Sequence, residues 1–361
     1  MEFRQLTKSG INVSCISFGG MRIPRISEEE AYKVVNRALD LGINYFETAS
    51  GYGDSEIKIG KSLGKRRKDI ILSTKCAYDN PITADELKRN VENQLKRLQT
   101  DYFDFYQMWG TDSMDCFVKM IEPGYKYEGV RDLMKQGVIK HIGLTSHAKP
   151  KDVEIMIESG LFESVTLYYN PYKQEYSEVA ALAQKLEMGV VAMGPLNGGF
   201  LGDETKELSF LKKGKARTNA EGALRFIVGN KNITTSIVGF ESEQQVIDGV
   251  YAGDFYEDIA GTNDIEIISE KFREMRKILP ENICSSCNYC KPCKEKIDIP
   301  NIFRLVNDAK VYGTWGFLKN KYMKMSKKAD LCTKCKACME KCPQKLDIIK
   351  DLEIAHQLLN S

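Results

Sequence analysis

The chain has 361 residues, 42% of them hydrophobic, which is enough to bury one large core and a smaller second one. Lysine and arginine (52) nearly balance aspartate and glutamate (50), and the net charge of +2 gives no reason to expect nucleic acid or an anionic membrane as a partner. The sequence contains neither an N-terminal apolar signal core nor a run of about 18 apolar residues. We therefore expect a cytoplasmic protein that does not span a membrane.

Short β-rich runs alternate with amphipathic helical segments about eight times before residue 255. Capping boxes mark two of the helix starts, Ser27 with Glu30 and Thr83 with Glu86. The predicted strands are 14–18, 45–49, 70–75, 103–109, 139–146, 165–170, 190–193 and 234–240. This pattern predicts a (β/α)8 TIM barrel of the α/β class, with functional residues at the C-terminal ends of the strands. A doubly wound sheet is the alternative, but no G-x-G-x-x-G motif follows an early strand.

Eight of the eleven cysteines fall in two groups near the C-terminus. The second group reads C-x2-C-x2-C-x3-C-P, a ferredoxin spacing in which the fourth cysteine ligates the other cluster when two are present. We therefore predict two 4Fe-4S clusters. One is assigned to Cys284, Cys287, Cys290 and Cys342, and the other to Cys332, Cys335, Cys338 and Cys293. A pair of four-cysteine zinc sites is the alternative.

The segment between the two cysteine groups predicts two amphipathic helices, 300–313 and 317–330, which would pack around the clusters. We therefore expect a barrel in residues 1–262 and a C-terminal α-helical, ferredoxin-like domain in residues 263–361. Lysines are dense in this domain, at positions 319, 321, 324, 327, 328, 334 and 336. They are typical of a solvated helix face, or alternatively of a docking face for an acidic electron carrier.

The predicted strand ends carry short motifs: FETASGYG, STK, QMWG, GLTSH and MGPLNGGFL. In this order the motifs resemble the aldo/keto reductase family from Phe18 to the IVGF at Ile237, and the subgroup with a C-terminal two-cluster ferredoxin-like domain resembles the chain most. The resemblance implies an oxidoreductase in which a nicotinamide delivers hydride to a carbonyl carbon and a tyrosine protonates the oxygen. In the family a lysine lowers the tyrosine pKa, an aspartate pairs with the lysine, and a histidine orients the substrate.

Position by position, the resemblance implies that Tyr52 is the proton donor and Lys75 its cationic partner. A phenol with a pKa near 10 is a poor acid-base catalyst at neutral pH until an adjacent ammonium stabilises its phenolate. Glu47 stands where the family has aspartate, and Trp109 stands where it has histidine, so the catalytic set is matched in part. His147 would then either replace the missing histidine or lie on a surface loop.

The resemblance also implies a nucleotide site in which the glycine-rich segment 194–201 surrounds the pyrophosphate. The implied cofactor-binding residues are Gly20, Met21, Thr145, His147, Asn170, Gly194, Pro195, Leu196, Gly198, Gly199, Gly239 and Phe240. At the adenosine end this chain has Glu241 and Gly249, where the family usually has asparagine or a basic residue. A carboxylate would repel a 2′-phosphate, which favours NAD over NADP. The alternative is that the barrel binds no nucleotide.

These observations favour a reductase that acts on a small carbonyl or activated unsaturated substrate, with electrons from NAD(P) or the clusters. Because clusters transfer single electrons and no flavin motif is evident, a ferredoxin, a flavodoxin or another electron carrier is the expected protein partner. The alternatives are an electron-transfer or adaptor protein with a diverged barrel, and an acid-base enzyme that transfers no hydride. The sequence does not determine the substrate or the oligomeric state.

Overall fold

The computed structural model describes residues 1–8, 10–76, 82–279, 283–312 and 315–360. It begins with an antiparallel hairpin of β1 (Phe3–Gln5) and β2 (Asn12–Ser14), which the sequence did not predict. The strands that follow are β3 (Ile16–Gly19), β4 (Tyr45–Glu47), β5 (Ile71–Lys75), β6 (Phe103–Met108), β7 (Ile139–Thr145), β8 (Ser164–Tyr168), β9 (Gly189–Met193) and β10 (Thr235–Val238). Strands β3 to β10 are parallel, and β10 pairs with both β9 and β3, which closes the barrel.

This topology confirms the predicted TIM barrel. Each predicted strand overlaps an observed strand, but several observed strands end one or two residues earlier than predicted. Trp109, Ser146 and Phe240, for example, lie beyond the last paired residue of their strands. All three side chains are nevertheless buried, so the sequence resembles a strand past the point where backbone pairing stops.

Helices surround the barrel and connect its strands. They are α1 (Glu28–Asp40), α2 (Ser55–Leu63), α3 (Ala84–Leu98), α4 (Met114–Ile121), α5 (Lys126–Lys135), α6 (Pro150–Glu158), α7 (Ser177–Lys185), α8 (Asn219–Val228) and α9 (Glu243–Asp254). Both predicted capping boxes are present: the Ser27 hydroxyl accepts from the Glu30 amide at 3.2 Å, and the Thr83 hydroxyl accepts from the Glu86 amide at 3.3 Å. These contacts fix where α1 and α3 begin.

The C-terminal region has a core of its own. Helix α10 (Asp264–Met275) still belongs to the barrel, because Ile268 and Phe272 pack into the barrel core. Helices α11 (Ile299–Tyr312), α12 (Trp315–Met323), α13 (Ala337–Glu340) and α14 (Ile348–Asn360) then form a second core that includes Ile302, Tyr322 and Leu352. Helix α11 confirms the predicted helix 300–313, apart from Gly313, which lies outside the described residues, and α12 confirms only the first part of the predicted helix 317–330, because it ends at Met323. The boundary after residue 262 stays a prediction.

None of the helices in the described ranges is long and apolar enough to cross a membrane.

Candidate active site

A cavity of about 540 Å³ lies at the C-terminal ends of the barrel strands. Its barrel wall contains all four residues of the predicted catalytic set and extends along the glycine-rich segment to α9. The C-terminal domain lies over this cavity and contributes six residues to its lining, which we call the cover: Ser285, Cys287, Tyr289, Arg304, Pro343 and Gln344. The candidate site is therefore formed by both domains.

Lys75 and Glu47 form an ion pair at the base of the cavity. Their side chains are only 2% and 6% exposed, and the Lys75 ammonium contacts the Glu47 carboxylate directly. The same ammonium donates a hydrogen bond to the Thr48 carbonyl at 3.2 Å. Burial lowers the pKa of Lys75, whereas the adjacent carboxylate favours the charged ammonium. Glu47 thus replaces the family's aspartate as the partner of the lysine despite its extra methylene.

Tyr52 lies in the turn between β4 and α2, next to this pair. Backbone hydrogen bonds from Tyr52 to Ala49 and from Ser55 to Tyr52 close the turn. The Lys75 ammonium lies 4.7 Å from the centre of the Tyr52 ring. Burial raises the pKa of Tyr52 well above its ordinary value, so the hydroxyl carries its proton at neutral pH. The arrangement presents a protonated phenol to the cavity, with an ammonium beside it.

Trp109 forms one wall around Tyr52. The two ring centres are 6.0 Å apart in an edge-on arrangement, and the Lys75 ammonium lies 5.4 Å from the indole. The buried Lys126 ammonium donates to the Trp109 carbonyl at 3.1 Å, which fixes the backbone there. The ring centre of Tyr289, a residue of the cover, lies 6.1 Å from that of Trp109. Tyr289 and Tyr52 line the same cavity. Sequence reasoning missed Tyr289.

His147 lines the cavity just after β7, the strand next to β6. Its backbone amide donates to the Asp112 carboxylate at 2.7 Å, and its ring centre lies 6.3 Å from that of Tyr168. Burial lowers the pKa of His147, so the imidazole is neutral at pH 7. His147 is therefore a residue of the cavity wall and not of an exposed surface loop.

Most of the other implied cofactor-binding residues also line the cavity: Met21, Thr145, Gly194, Pro195, Leu196, Gly198, Gly199, Gly239 and Phe240. Asn170 lies behind this wall, and its amide donates to the Gly194 carbonyl at 2.9 Å. The Tyr168 hydroxyl donates to Asn197 at 2.7 Å. Gly20 packs against Ser55, whose hydroxyl donates to its carbonyl at 2.8 Å. Asn170 and Gly20 thus support the glycine-rich segment and the site turn from outside the cavity.

The adenosine end of the predicted nucleotide site contains two arginines that the sequence argument overlooked. Glu241 accepts hydrogen bonds from Arg22 at 3.1 Å and from Arg25 at 3.3 Å. Arg22 also donates to the Gly198 carbonyl at 3.1 Å, which links this end to the glycine-rich segment. The carboxylate is therefore compensated by two positive charges, which weakens the repulsion that favoured NAD over NADP.

Close contacts fix the cover on the glycine-rich segment. Gly198 adopts a φ of +75°, and a methyl group there would lie 2.6 Å from the carbonyl carbon of Ser285. Arg25 donates to the Ser286 carbonyl at 3.2 Å, and Arg304 of α11 bridges both oxygens of Asp203 at 2.7 and 2.9 Å. These contacts place the cysteine-rich loop directly over the catalytic set.

Some of the predicted cluster ligands lie near one another in space. A small second cavity is lined by Cys284, Cys287, Cys290 and Cys342, together with apolar residues of α11 and α14. Burial raises the pKa of Cys338, and three neighbouring thiols raise it further, namely Cys332, Cys335 and Cys293. Within the described residues, no set of three or more histidine, cysteine or acidic side chains is arranged to hold a single metal ion. The argument that these cysteines hold iron–sulfur clusters therefore depends on their thiolate chemistry and on their proximity to one another. The assignment of each ligand to a cluster stays a prediction.

Comparison with known proteins identifies both domains. Residues 15–270 match the aldo/keto reductase family, and residues 283–347 match the 4Fe-4S dicluster domain. The first match covers more than half of the chain, so this protein belongs to the aldo/keto reductase family. The chain is an oxidoreductase of this family with a C-terminal iron–sulfur domain, as the motifs predicted.

Relatives support this assignment. The chain is 25% identical over 309 residues to the uncharacterized oxidoreductase YqkF of Bacillus subtilis (strain 168), covering 78% of this chain and 98% of that protein. L-galactose dehydrogenase of Arabidopsis thaliana is 28% identical over 287 residues, covering 70% and 88% of the two chains. The holo form of the aldo-keto reductase AKR11C1 from Bacillus halodurans superposes with a TM-score of 0.61 at 28% identity, covering 76% and 96%.

Proposed function

We propose that this protein reduces a small carbonyl or activated unsaturated substrate, with NAD(P)H as hydride donor and Tyr52 as proton donor. The observation that carries the proposal is the contact between Tyr52, Lys75 and Glu47 within a cavity that continues along the glycine-rich segment. Carbonyl reduction needs a proton donor next to an acceptor site and a place for the nicotinamide, and this cavity offers both.

The roles of the three residues follow from their charges. Tyr52 holds its proton until the substrate oxygen becomes an alkoxide, and it then transfers the proton to that oxygen. The phenolate left on Tyr52 faces the Lys75 ammonium, whose attraction is strong because little water reaches the pair. Glu47 keeps the ammonium charged despite its burial. The set therefore stabilises the state in which Tyr52 has lost its proton.

The nucleotide would occupy the long arm of the cavity. Its pyrophosphate would meet the glycine-rich segment 194–201 at Gly199, which has a positive φ and open space where a side chain would lie. Its adenosine would reach Glu241, Arg22 and the first turn of α9. A 2′-phosphate could pair with Arg22 and Arg25 only if their hydrogen bonds to Glu241 break. The structure therefore does not favour one nucleotide, and both NADH and NADPH should be tested.

The iron–sulfur domain would hold two 4Fe-4S clusters, which transfer one electron at a time. Cys287 lines the main cavity, so one predicted cluster site adjoins the place of the nicotinamide and substrate. The predicted ligand Cys335 is exposed on the outside, and Lys334 and Lys336 beside it are exposed as well. Residues 319–345 contain nine lysines and two acidic residues in a chain of net charge +2. This surface suits an acidic one-electron carrier such as a ferredoxin or flavodoxin.

The test uses protein with full iron–sulfur absorbance, assayed anaerobically with a panel of small aldehydes and enones. NADH, NADPH and reduced viologen serve as alternative electron donors. We expect Tyr52→Phe to lower turnover about 10²–10⁴-fold, the usual contribution of a positioned acid, without weakening nucleotide binding measured by fluorescence. The control is Tyr32→Phe, since Tyr32 is 56% exposed on α1. Wild-type rates in Tyr52→Phe would contradict the proposal, and no turnover with any donor would favour an electron-transfer protein.

A further inference from the structure

Tyr289 comes from the second domain, yet it reaches the centre of the candidate active site. It lies in the cysteine-rich loop, between Cys287 and Cys290. Its ring packs against Trp109 at a centre-to-centre distance of 6.1 Å, and its side chain lines the same cavity as Tyr52. One residue of the iron–sulfur domain therefore lies beside the catalytic set in the barrel.

The barrel by itself has no histidine in the position that the family gives to one. Trp109 fills this position with an indole that packs edge-on against Tyr52. The ring of His147 lies instead 6.3 Å from that of Tyr168. Tyr289 brings a further hydroxyl to the cavity that Tyr52 and Trp109 line.

We propose that Tyr289 is a catalytic residue of this reductase, which donates a hydrogen bond to the substrate carbonyl oxygen alongside Tyr52. The proposal depends on the proposed function, because it assumes carbonyl reduction at Tyr52. NAD(P)H, when bound, would supply hydride to the carbonyl carbon; the π electron pair would move to the oxygen, and Tyr52 would give that oxygen its proton. Tyr289 keeps its own proton and is not consumed.

The geometry explains why both hydroxyls would meet one substrate oxygen. Because both phenols line one cavity and both rings pack against Trp109, a substrate oxygen between them would accept from both hydroxyls. Such paired donors, fixed in advance by packing, stabilise negative charge on oxygen. The catalytic set is then complete only when the iron–sulfur domain lies on the barrel.

The test compares Tyr289→Phe with wild type and Tyr32→Phe, all with full iron–sulfur absorbance. 4-Nitrobenzaldehyde is the probe substrate, with NADH and NADPH as donors. Removing one oxyanion donor lowers kcat about 10²–10³-fold in other enzymes, and we expect a loss of at least about tenfold here. The nucleotide dissociation constant and the cluster absorbance should not change. Adding Trp109→His to Tyr289→Phe should restore about tenfold of kcat, because imidazole then supplies the donor.

The outcomes separate this proposal from the proposed function. If Tyr289→Phe keeps wild-type kcat while Tyr52→Phe loses it, Tyr289 has no catalytic role and the proposed function stands. If Tyr289→Phe loses cluster absorbance or nucleotide affinity together with kcat, its role is structural and the proposal is overturned. If Tyr52→Phe is fully active, or the wild type does not turn over the probe, both proposals fall together.

Discussion

Gly198→Ala should uncouple the iron–sulfur domain from the catalytic set. An added methyl group would lie 2.6 Å from the Ser285 carbonyl carbon, and closer still to its oxygen. Carbon–oxygen contacts in proteins are usually about 3.3–3.6 Å, so the cysteine-rich loop must retreat by about 1 Å. That loop carries Tyr289 and Cys287. Because a misplacement of about 1 Å can cost about 10²-fold in rate, we expect kcat to fall about 10- to 100-fold.

Gly199→Ala is the matched control. Gly199 has a φ of +107°, and nothing lies within 4 Å of the position that its methyl group would take. Both substitutions carry the strain of left-handed backbone, about 1–2 kcal/mol, and φ +107° suits alanine less well than the +75° of Gly198. If backbone strain alone acts, Gly199→Ala should lose more kcat than Gly198→Ala. If displacement of the cover acts, Gly198→Ala should lose more.

Steady-state rates with 4-nitrobenzaldehyde and NADPH or NADH would be measured at full cluster absorbance. Limited proteolysis would report whether the C-terminal domain has become more accessible. An equal or larger loss of kcat in Gly199→Ala would refute the reasoning that contact between Gly198 and Ser285 positions the catalytic set.

Three further predictions concern stability and cluster assembly. Lys75→Met leaves the Glu47 carboxylate buried without its partner, so it should lower the free energy of unfolding in urea by about 3–5 kcal/mol. Adding Glu47→Gln should recover most of this loss. Equal stability of both variants and wild type would contradict the buried ion pair. Cys342→Ser should lower bound iron from about eight to about four atoms per chain, whereas the control Cys116→Ser should leave the iron content unchanged. Full iron content in Cys342→Ser would overturn the ligand assignment. Burial lowers the pKa of His147 below its ordinary 6.5, so the unfolded chain binds the proton more readily than the folded chain. The contribution of His147 to stability is therefore complete above pH 6.5 and is lost as the pH falls. In urea titrations, His147→Gln should lose less free energy of unfolding than wild type between pH 7.5 and 5.5. A variant as acid-sensitive as wild type would contradict this account.

Local sequence patterns determined the architecture of both domains. Strand and helix periods depend on neighbouring residues, which is why the eight barrel strands and the capping boxes at Ser27 and Thr83 could be predicted. The cysteine spacing is equally local and indicated the iron–sulfur domain. Tyr52 and Lys75 could be found because parallel strands of a closed barrel all end at the same face.

Tertiary structure alone decided which groups meet across large distances in sequence. Tyr289 lies more than 200 residues from Tyr52, and only the docking of the C-terminal domain brings both side chains to one cavity beside Trp109. The charge at the adenosine end changed for the same reason. Glu241 suggested repulsion of a phosphate, but Arg22 and Arg25 pair with it from the other end of the chain. A sequence motif records residues on one strand or loop, whereas the electrostatics and shape of this cavity depend on surfaces from two domains that pack against each other.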